Sequence, residues 1–256
     1  MTSYGVILPT EHVTAAEAAG ADYVEPTIVG NVVVPGASGR WVMNPEYRGA
    51  DRSPSFAVLF PGDMRLSDPS FPREVITRYL EDVLGAVTGV AEHDAWIVFG
   101  SGAARTIPDD VDSAVGARRF AEVLVEARDI AARNGVRIIL EPLHRGETNL
   151  VNTIVEAAAF LDEHGIDGVP IVADLFHSMY EEEPFDAVRA HADRIGHAHI
   201  ADTDRRPPGQ GDWPLREFLT ALRDGGYTGN VSIECHWNDV DAELAPALAA
   251  VRSAAA

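Results

Sequence analysis

Residues 136–141 read VRIILE, a short run rich in Val and Ile that ends on a glutamate. Short β-branched runs of this kind are typical of buried strands. Residues 170–174 (PIVAD), 195–200 (IGHAHI) and 230–234 (NVSIE) repeat the pattern, each with an acidic or histidine residue at or next to its end. Longer segments between them carry apolar residues every three or four positions, which indicates helices. The second half of the chain therefore predicts repeated strand–helix units.

The first half of the chain shows the same rhythm. Its predicted strands are residues 4–8 (YGVIL), 21–25 (ADYVE), 55–60 (SFAVLF) and 96–100 (WIVFG). Eight strands alternating with helices close most naturally into a barrel, so we predict an α/β fold with a single (β/α)8 TIM barrel domain over residues 1–256. A doubly wound open sheet is the alternative, but no strand-to-helix turn carries the GxGxxG pattern of its nucleotide-binding members.

Individual helices can also be predicted. After the third strand, one apolar stripe is formed by Val75, Ile76, Tyr79, Leu80, Val83, Leu84 and Val87. After the fourth strand, a second stripe is formed by Phe120, Val123, Leu124, Ala127, Ile130 and Ala131, and it is closed by Gly135. Thr153 with Glu156 predicts a capping box at the start of another helix. Residues 27–54 form a long connection that contains Gly and Pro.

The composition limits the classes of partner. With 20 Lys and Arg against 40 Asp and Glu, the formal net charge is −20, so repulsion disfavours binding to a nucleic-acid backbone. No apolar run approaches the roughly 18 residues of a membrane-spanning helix. The single cysteine, Cys235, cannot form an internal disulfide, and the N-terminal stretch lacks a secretory pattern. We expect a cytoplasmic protein with a small-molecule substrate, and leave a dimer or tetramer open.

Four ligand-type residues lie at the ends of four successive predicted strands: Glu141, Asp174, His199 and Glu234. Adjacent strands of a barrel end at the same rim, where TIM-barrel chemistry takes place, so these side chains should converge. Three carboxylates in an apolar barrel mouth would repel one another unless a cation neutralised them. The set therefore predicts one divalent metal ion; an oxygen-rich site with one imidazole suits Mn²⁺, our first choice, or Mg²⁺ or Co²⁺.

Neighbouring polar residues allow two interpretations each. His197 faces the same way as His199 one pleat deeper, so it is either a hydrogen-bonded core histidine or a support for the metal site. His177 is either a surface histidine or a donor to a substrate oxygen. Arg205 is either a solvated loop charge or an arginine drawn inward by the carboxylates. Residues 202–213, with two prolines and a Gly-rich turn, predict a loop of defined path that covers the substrate.

Four stretches carry a resemblance to a known family: EPLHRGE (141–147), VADLFH (172–177), GHAHIADTDRRPPGQGDW (196–213) and SIEC (232–235). They resemble the xylose isomerase-like TIM barrel superfamily, within it the sugar isomerase/epimerase branch that contains D-tagatose and D-psicose 3-epimerases. The resemblance implies that the metal is held by Glu141, Asp174, His199 and Glu234, and that the substrate is held by Glu147, His177 and Arg205. The chain departs from the branch at His144, where those epimerases usually carry Asn.

The resemblance also implies a reaction. A ketose would be epimerised at C3 by proton abstraction and return through a metal-stabilised enediolate, with Glu141 and Glu234 as base and acid on opposite faces. Two alternatives stay open on the same residues: an aldose–ketose isomerase, and a metal-dependent lyase that dehydrates keto-inositols or cleaves C-glycosides. Residues 59–66 and 98–105 are similar to sugar phosphate isomerases/epimerases, so a phosphorylated substrate also stays open, with Arg105 and Arg206 as candidate phosphate ligands.

Two further classes fit the sequence less well. Endonuclease IV shares the Glu, Asp-x-x-His, His, Glu core of the superfamily but adds metal-binding histidines. Those additions are missing here, where the third and fourth strands lead into residues 60–63 (FPGD) and 100–102 (GSG), and Asp212 precedes Trp213. A metal-binding protein without catalysis would leave two carboxylates poised at one cation unexplained.

Overall fold

The computed structural model describes residues 2–49 and 52–256. The strands are β1 (Tyr4–Ile7), β2 (Tyr23–Glu25), β3 (Val33–Pro35), β4 (Trp41–Met43), β5 (Ser53–Phe56), β6 (Ala91–Phe99), β7 (Val136–Leu140), β8 (Ile171–Asp174), β9 (Ile195–Ile200) and β10 (Val231–Ile233). The helices are α1 (Val13–Ala18), α2 (Arg73–Val87), α3 (Gly102–Arg105), α4 (Ser113–Arg133), α5 (Ile154–Glu163), α6 (Leu175–Tyr180), α7 (Phe185–Ala190), α8 (Leu215–Asp224) and α9 (Val240–Ala255).

Eight of the strands form one parallel sheet in the order β2-β1-β10-β9-β8-β7-β6-β5. A parallel bridge between Thr27 and Ala57, just beyond β2 and β5, joins the two edges of this sheet. The sheet is therefore a nearly closed barrel, which confirms the predicted (β/α)8 architecture. Strands β3 and β4 form a separate antiparallel pair within the predicted 27–54 connection; residues 50 and 51 of that connection lie outside the described residues.

Two strand boundaries predicted from the sequence are wrong by four residues or more. The third barrel strand, β5, ends at Phe56 instead of residue 60. Val58 beyond it has φ +56°, a left-handed conformation that a β-branched residue rarely adopts and that is incompatible with an extended strand. The fourth barrel strand, β6, begins at Ala91, five residues earlier than predicted. The apolar run marked each strand but not its ends.

The helices follow their apolar stripes. Every predicted stripe residue of α4 is buried, and so is every predicted stripe residue of α2 except Val75, which is exposed. Val75 lies on the outer side of α2, so including it in the buried stripe was wrong. Among the described residues, no helix combines the length and the apolar character needed to cross a membrane.

The capping box at α5 forms only in part. Thr153 Oγ1 accepts a hydrogen bond from the Glu156 backbone N–H at 3.0 Å, as predicted. The Glu156 carboxylate, however, accepts from the Asn152 N–H at 2.7 Å and not from Thr153 itself. The reciprocal bond of a capping box is therefore shifted by one residue along the chain.

The register of three neighbouring strands sets up the rim of the barrel. Asp174 in β8 is paired with His199 in β9, and His199 is paired in turn with Ser232 in β10. Side chains on equivalent positions of adjacent parallel strands point the same way, so the acid and the imidazole are brought side by side. Glu234 follows the last residue of β10 and reaches the same rim.

Candidate active site and metal centre

The four ligand-type residues predicted from the strand ends lie together. One ligand atom from each of Glu141, Asp174, His199 and Glu234 falls within 4.8 Å of the others. His199 Nδ1 is 3.0 Å from Glu141 Oε1 and 3.0 Å from Glu234 Oε2. The imidazole nitrogen thus sits between two carboxylates, at the carboxyl end of the barrel strands where TIM-barrel enzymes place their chemistry.

Asp174 contributes a carboxylate oxygen that accepts no hydrogen bond from the described residues. Its Oδ1 accepts a hydrogen bond from the Phe176 N–H at 2.7 Å and so caps α6. Its Oδ2 is buried and makes no hydrogen bond among the described residues. Burial, with the nearby charges of Glu234 and Glu141, raises the pKa of Asp174 to about 7. A carboxyl group in this position either binds a proton or needs a nearby cation to stabilise its charge.

The donor set fits a divalent cation. Three carboxylates and one imidazole nitrogen converge from four strands, and buried carboxylates with no counter-charge are costly. Burial raises the pKa of Glu141. Burial also disfavours a charged His199, but the carboxylates around this ring have the larger effect and raise its pKa well above the usual range. Protons thereby take the place that a metal ion would fill in an oxygen-rich, one-imidazole site.

Arg205 turns into this cluster instead of into solvent. Asp204 and Arg205 have φ of +58° and +61°, two consecutive left-handed residues that reverse the chain after β9. Arg205 Nη2 lies 2.7 Å from Glu234 Oε1, and its guanidinium stacks 4.4 Å from the Phe176 ring centroid. Burial opposes the charge on Glu234, yet Arg205 and then His199 outweigh it and lower its pKa to about 2. The structure therefore supports the inward interpretation of Arg205.

His177 is buried, and its tautomer follows from its hydrogen bonds. The backbone N–H of His144 donates to His177 Nδ1 at 3.1 Å, so Nδ1 carries no proton. Burial, and next the charge of Arg205, lower the pKa of His177 well below its usual range. The ring is therefore neutral with its proton on Nε2, which lies 3.5 Å from Asp174 Oδ2. An N–H donor thus faces the centre of the site.

Glu147 and His144 form the outer edge of the site. Glu147 Oε1 is 3.4 Å from Arg205 Nη1 and 3.3 Å from His144 Nε2. The His144 ring stacks on Tyr180, with 4.7 Å between ring centroids, and its Nδ1 accepts from the Gly146 N–H at 3.1 Å. A side chain at position 146 would clash with this ring. The family departure at His144 is thus accommodated by the glycine two residues later.

The cluster opens onto a cavity of about 480 Å³. Its polar lining, here called the floor, consists of Glu141, Glu147, His177, His199, Arg205 and Glu234, and small or apolar residues of the loops after β5 and β6 also line it as a wall. This volume is within the roughly 300–1,000 Å³ typical of small-molecule sites. A polyhydroxylated molecule could place its oxygens on the charged floor and its carbon skeleton against the wall.

The structure also contains a site residue that sequence reasoning missed. Glu25, the last residue of β2, is completely buried, and its carboxylate lies 3.1 Å from His199 Nε2 and 2.8 Å from His197 Nε2. His197 is therefore a hydrogen-bonded histidine of the barrel interior, and it shares the Glu25 carboxylate with His199. The available signal was the run ADYVE, which ends in glutamate in the same way as VRIILE.

Neither arginine considered as a phosphate ligand is available for that role. Arg105 is fully buried, and its guanidinium donates to the carbonyls of Glu141 at 2.7 Å and Val151 at 3.0 Å. Arg206 pairs with Asp204 at 2.9 Å on the outer side of the loop and does not line the cavity. Arg105 is a structural clamp on the backbone that carries Glu141, so both assignments are corrected.

The loop predicted over residues 202–213 has the expected defined path. Asp202, which is buried, accepts hydrogen bonds from the N–H groups of Thr203 at 2.8 Å, Gly209 at 2.9 Å and Trp213 at 3.1 Å. A Cβ at Gly211 would lie 2.3 Å from Asp202 Oδ1, so only glycine allows this close approach. One carboxylate thus ties both ends of the loop that carries Arg205.

The chain is similar to several known proteins. A family described as the xylose isomerase-like TIM barrel matches residues 13–255. The chain is 38% identical over 125 residues to the D-psicose 3-epimerase of Agrobacterium fabrum, across 48% of this chain and 43% of that protein. It is 35% identical over 106 residues to the 3-dehydro-D-guloside 4-epimerase of Escherichia coli K12, across 41% of this chain and 40% of that protein. The chain thus matches less than half the length of these curated relatives.

Solved structures extend the likeness of fold to nearly the whole chain. A D-psicose 3-epimerase with D-tagatose from Clostridium cellulolyticum H10 superposes with a TM-score of 0.81 at 22% identity, covering 99% of both chains. A 3-keto-D-glucoside 4-epimerase from Escherichia coli gives a TM-score of 0.76 at 22% identity, covering 99% of this chain and all of the other. The predicted fold and the resemblance to this family are both confirmed. The chain belongs to the xylose isomerase-like TIM barrel family.

Proposed function

We propose that this protein is a divalent-metal-dependent sugar epimerase that inverts C3 of a ketose. The observation that carries the proposal is the pair Glu141 and Glu234, each 3.0 Å from His199 Nδ1 at the floor of the cavity. Two carboxyl groups on different strands can approach a bound substrate carbon from two faces. The names of several relatives, D-psicose 3-epimerase and L-ribulose 3-epimerase among them, support this reaction.

Inversion requires one group to remove a proton and another to return it from the opposite side. Arg205 holds the pKa of Glu234 low, which leaves it ionised and able to accept a proton from the carbon beside a ketone. Glu141, from a different strand, would return the proton: burial raises its pKa, and a bound cation would lower it. Two carboxyl groups whose environments push their pKa values apart are suited to act as base and acid. In the reverse direction the two exchange roles.

The remaining residues hold the substrate in place. A divalent cation bound by Glu141, Asp174, His199 and Glu234 would supply Lewis-acid stabilisation of the charge that develops on the substrate oxygens. We propose Mn²⁺ for this position, with Mg²⁺ or Co²⁺ as alternatives, because the donor set is rich in oxygen. His177 Nε2–H donates to a substrate hydroxyl, and Glu147 with Arg205 contacts the hydroxyls at the cavity edge.

The charges of the cavity favour an uncharged sugar. Among the described residues that line it, Arg205 is the one Arg or Lys, and its guanidinium already pairs with Glu234 and Glu147. A phosphate would meet several carboxylates without a free cationic side chain, at a cost in repulsion and desolvation. We therefore propose a free ketose rather than a sugar phosphate.

Inversion at C4 of a 3-keto sugar is the second candidate. The 35% identical relative from Escherichia coli is a 3-dehydro-D-guloside 4-epimerase, so this fold also occurs in a 4-epimerase. The chemistry is the same, because C4 is adjacent to a ketone at C3 in such a substrate. The cavity of about 480 Å³ leaves room for a substituent beyond one sugar ring.

The reaction can be tested with metal-loaded protein in D₂O. Free ketoses, ketose phosphates and 3-keto-glycosides would be incubated separately, and deuterium incorporation would be located by NMR. We expect deuterium at C3 of a free ketose together with its C3 epimer. Exchange at C4 of a keto-glycoside would select the second candidate, an aldose product would indicate the isomerase alternative, and a lighter product would indicate a lyase. Exchange in the phosphates alone would refute the uncharged substrate.

The two-carboxylate mechanism predicts that neither glutamate is dispensable. Glu141→Gln and Glu234→Gln keep the size of each side chain but remove its proton transfer, so each should lower epimerisation by at least about 10²-fold. The measurement is turnover at saturating Mn²⁺, where loss of metal affinity is compensated. Glu74→Gln is the matched control, because Glu74 is an exposed residue in the first turn of α2. Substantial turnover in both site variants would eliminate the mechanism.

A further inference from the structure

Glu25 occupies a position that the proposed reaction does not use. It lies at the end of β2 and is fully buried, on the side of His199 opposite to Glu141 and Glu234. In the sheet, β2 is separated from β9 by β1 and β10, so Glu25 reaches the two histidines of β9 through the barrel interior. A buried carboxylate is costly unless its oxygens are fully hydrogen-bonded, so its partners need to be identified.

Four donors converge on this one carboxylate. Oε2 accepts from Ser232 Oγ at 2.6 Å, from Ser55 Oγ at 2.7 Å and from His197 Nε2 at 2.8 Å. Oε1 faces His199 Nε2 at 3.1 Å. The contacts come from the serines of β5 and β10 and the histidines of β9, and none of these described partners is Arg or Lys. The carboxylate is therefore held rigidly as an acceptor.

This arrangement fixes the His199 ring at both nitrogens. Because Glu25 accepts at Nε2, the Nε2 atom carries a proton, and the lone pair available for a cation is on Nδ1. Nδ1 is the atom that lies 3.0 Å from both Glu141 Oε1 and Glu234 Oε2. Three hydrogen bonds on Oε2 prevent the Glu25 carboxylate from turning away. A histidine that binds a metal commonly donates its other N–H to such a carboxylate, which fixes the tautomer and strengthens the ligand.

We propose that Glu25 is a positioning residue for the metal centre: it holds His199 with Nδ1 toward the cation, although it is not itself a ligand. The proposal rests on the proposed function, since it presumes that His199 binds a metal ion. His197 shares the same carboxylate through Nε2, and its Nδ1 has no partner among the described residues. His197 therefore helps to hold the Glu25 carboxylate in place.

The test measures Mn²⁺ binding to metal-free protein, with free Mn²⁺ followed by electron paramagnetic resonance. Glu25→Gln offers one acceptor oxygen to four donors, so the His199 tautomer is no longer fixed. We expect its Mn²⁺ affinity to fall by about 10- to 100-fold. Glu74→Gln is the matched control: it makes the same substitution at an exposed residue of α2, so its affinity should stay close to that of the parent.

The parent protein provides a second measurement that needs no variant to fold. With Zn²⁺ as a diamagnetic probe and ¹⁵N-labelled histidine, NMR should show His199 with a proton on Nε2 and metal at Nδ1. Metal at Nε2 would overturn the proposal. So would equal Mn²⁺ affinity of Glu25→Gln and the parent, or an equal loss in Glu74→Gln; the proposed metal site would survive these results. A parent that binds no Mn²⁺ would refute the proposed function, and this inference with it.

Discussion

Asp174 shows how a single side chain links folding to metal chemistry. One of its oxygens caps α6 through the Phe176 N–H, and the other accepts no hydrogen bond from the described residues. The cap fixes the carboxylate in place, while burial and two nearby glutamates raise its pKa to about 7. The residue therefore changes protonation state close to neutral pH, where a metal ion would compete with the proton.

The affinity for Mn²⁺ should therefore depend on pH. Below about pH 7 Asp174 is protonated in the metal-free protein, so binding must displace that proton and the affinity should fall by about tenfold or more per pH unit. Above that pH the dependence on Asp174 disappears. Calorimetry in buffers of different ionisation enthalpy would count the protons released. The same affinity at about pH 6 and about pH 8 would contradict the shifted pKa.

Arg205 carries a different prediction at the same scale. Its guanidinium pairs with Glu234 and Glu147 at the cavity floor, but its nitrogens are not ligands for a cation. Arg205→Ala should raise KM and lower kcat/KM for the sugar while metal content stays that of the parent. His199→Ala should reduce both metal content and turnover. Unchanged kinetics in Arg205→Ala would show that the loop connects β9 to α8 but takes no part in substrate binding.

At the scale of elements, the loop after β9 depends on one buried carboxylate. Asp202 ties the N–H groups of Thr203, Gly209 and Trp213, so it closes the loop that carries Arg205. Regular secondary structure is sparse in this segment, and its path is fixed by these hydrogen bonds, by two prolines and by the close approach at Gly211. The loop is therefore more rigid than its lack of helices or strands would indicate.

Removing this carboxylate should separate substrate binding from metal binding. Asp202→Ala leaves three N–H groups without their acceptor, so we expect a free energy of unfolding lower by about 1–3 kcal/mol and a higher KM. Mn²⁺ affinity should not change, because no metal ligand lies on the loop. Asp204→Asn is the control, since Asp204 is exposed and, within the described part of the chain, pairs with Arg206 alone. A KM equal to the parent's would show that the loop does not shape the cavity.

The elements also show what the sequence could predict. The convergence of four ligand-type side chains could be predicted because neighbouring strands of a barrel end at one rim. These side chains are Glu141, Asp174, His199 and Glu234. The role of Glu25 could not be predicted in this way, although ADYVE ends in glutamate like VRIILE. Its contacts cross the barrel interior from β2 to β9, so they depend on the closure of the sheet. The sequence pattern did not predict the inward turn of Arg205 either, because this turn requires two non-glycine residues, Asp204 and Arg205, to adopt positive φ.

At the scale of the whole molecule, the net charge of −20 and the acidic cluster at the barrel mouth both favour bound cations. These two effects differ in kind. A diffuse negative field attracts any counter-ion and is screened by salt, with a Debye length of about 8 Å at physiological ionic strength. The four-ligand site binds one ion in a fixed geometry. Thermal unfolding distinguishes them, because a specific site stabilises the fold by an amount set by its own dissociation constant and the free ion concentration.

Mn²⁺ should raise the unfolding temperature of the metal-free protein. At about 100 times its dissociation constant, a ligand that binds only the folded state contributes about 2.7 kcal/mol, which corresponds to a rise of roughly 5–10 °C for a chain of this size. The measurement is calorimetric unfolding at constant ionic strength, with NaCl replacing MnCl₂ in the reference. In the double variant Glu141→Ala and Glu234→Ala the rise should vanish, because two of the four ligands are gone. If the double variant were stabilised as much as the parent, Mn²⁺ would be acting through the surface charge, and the site at the barrel mouth would not be its binding site.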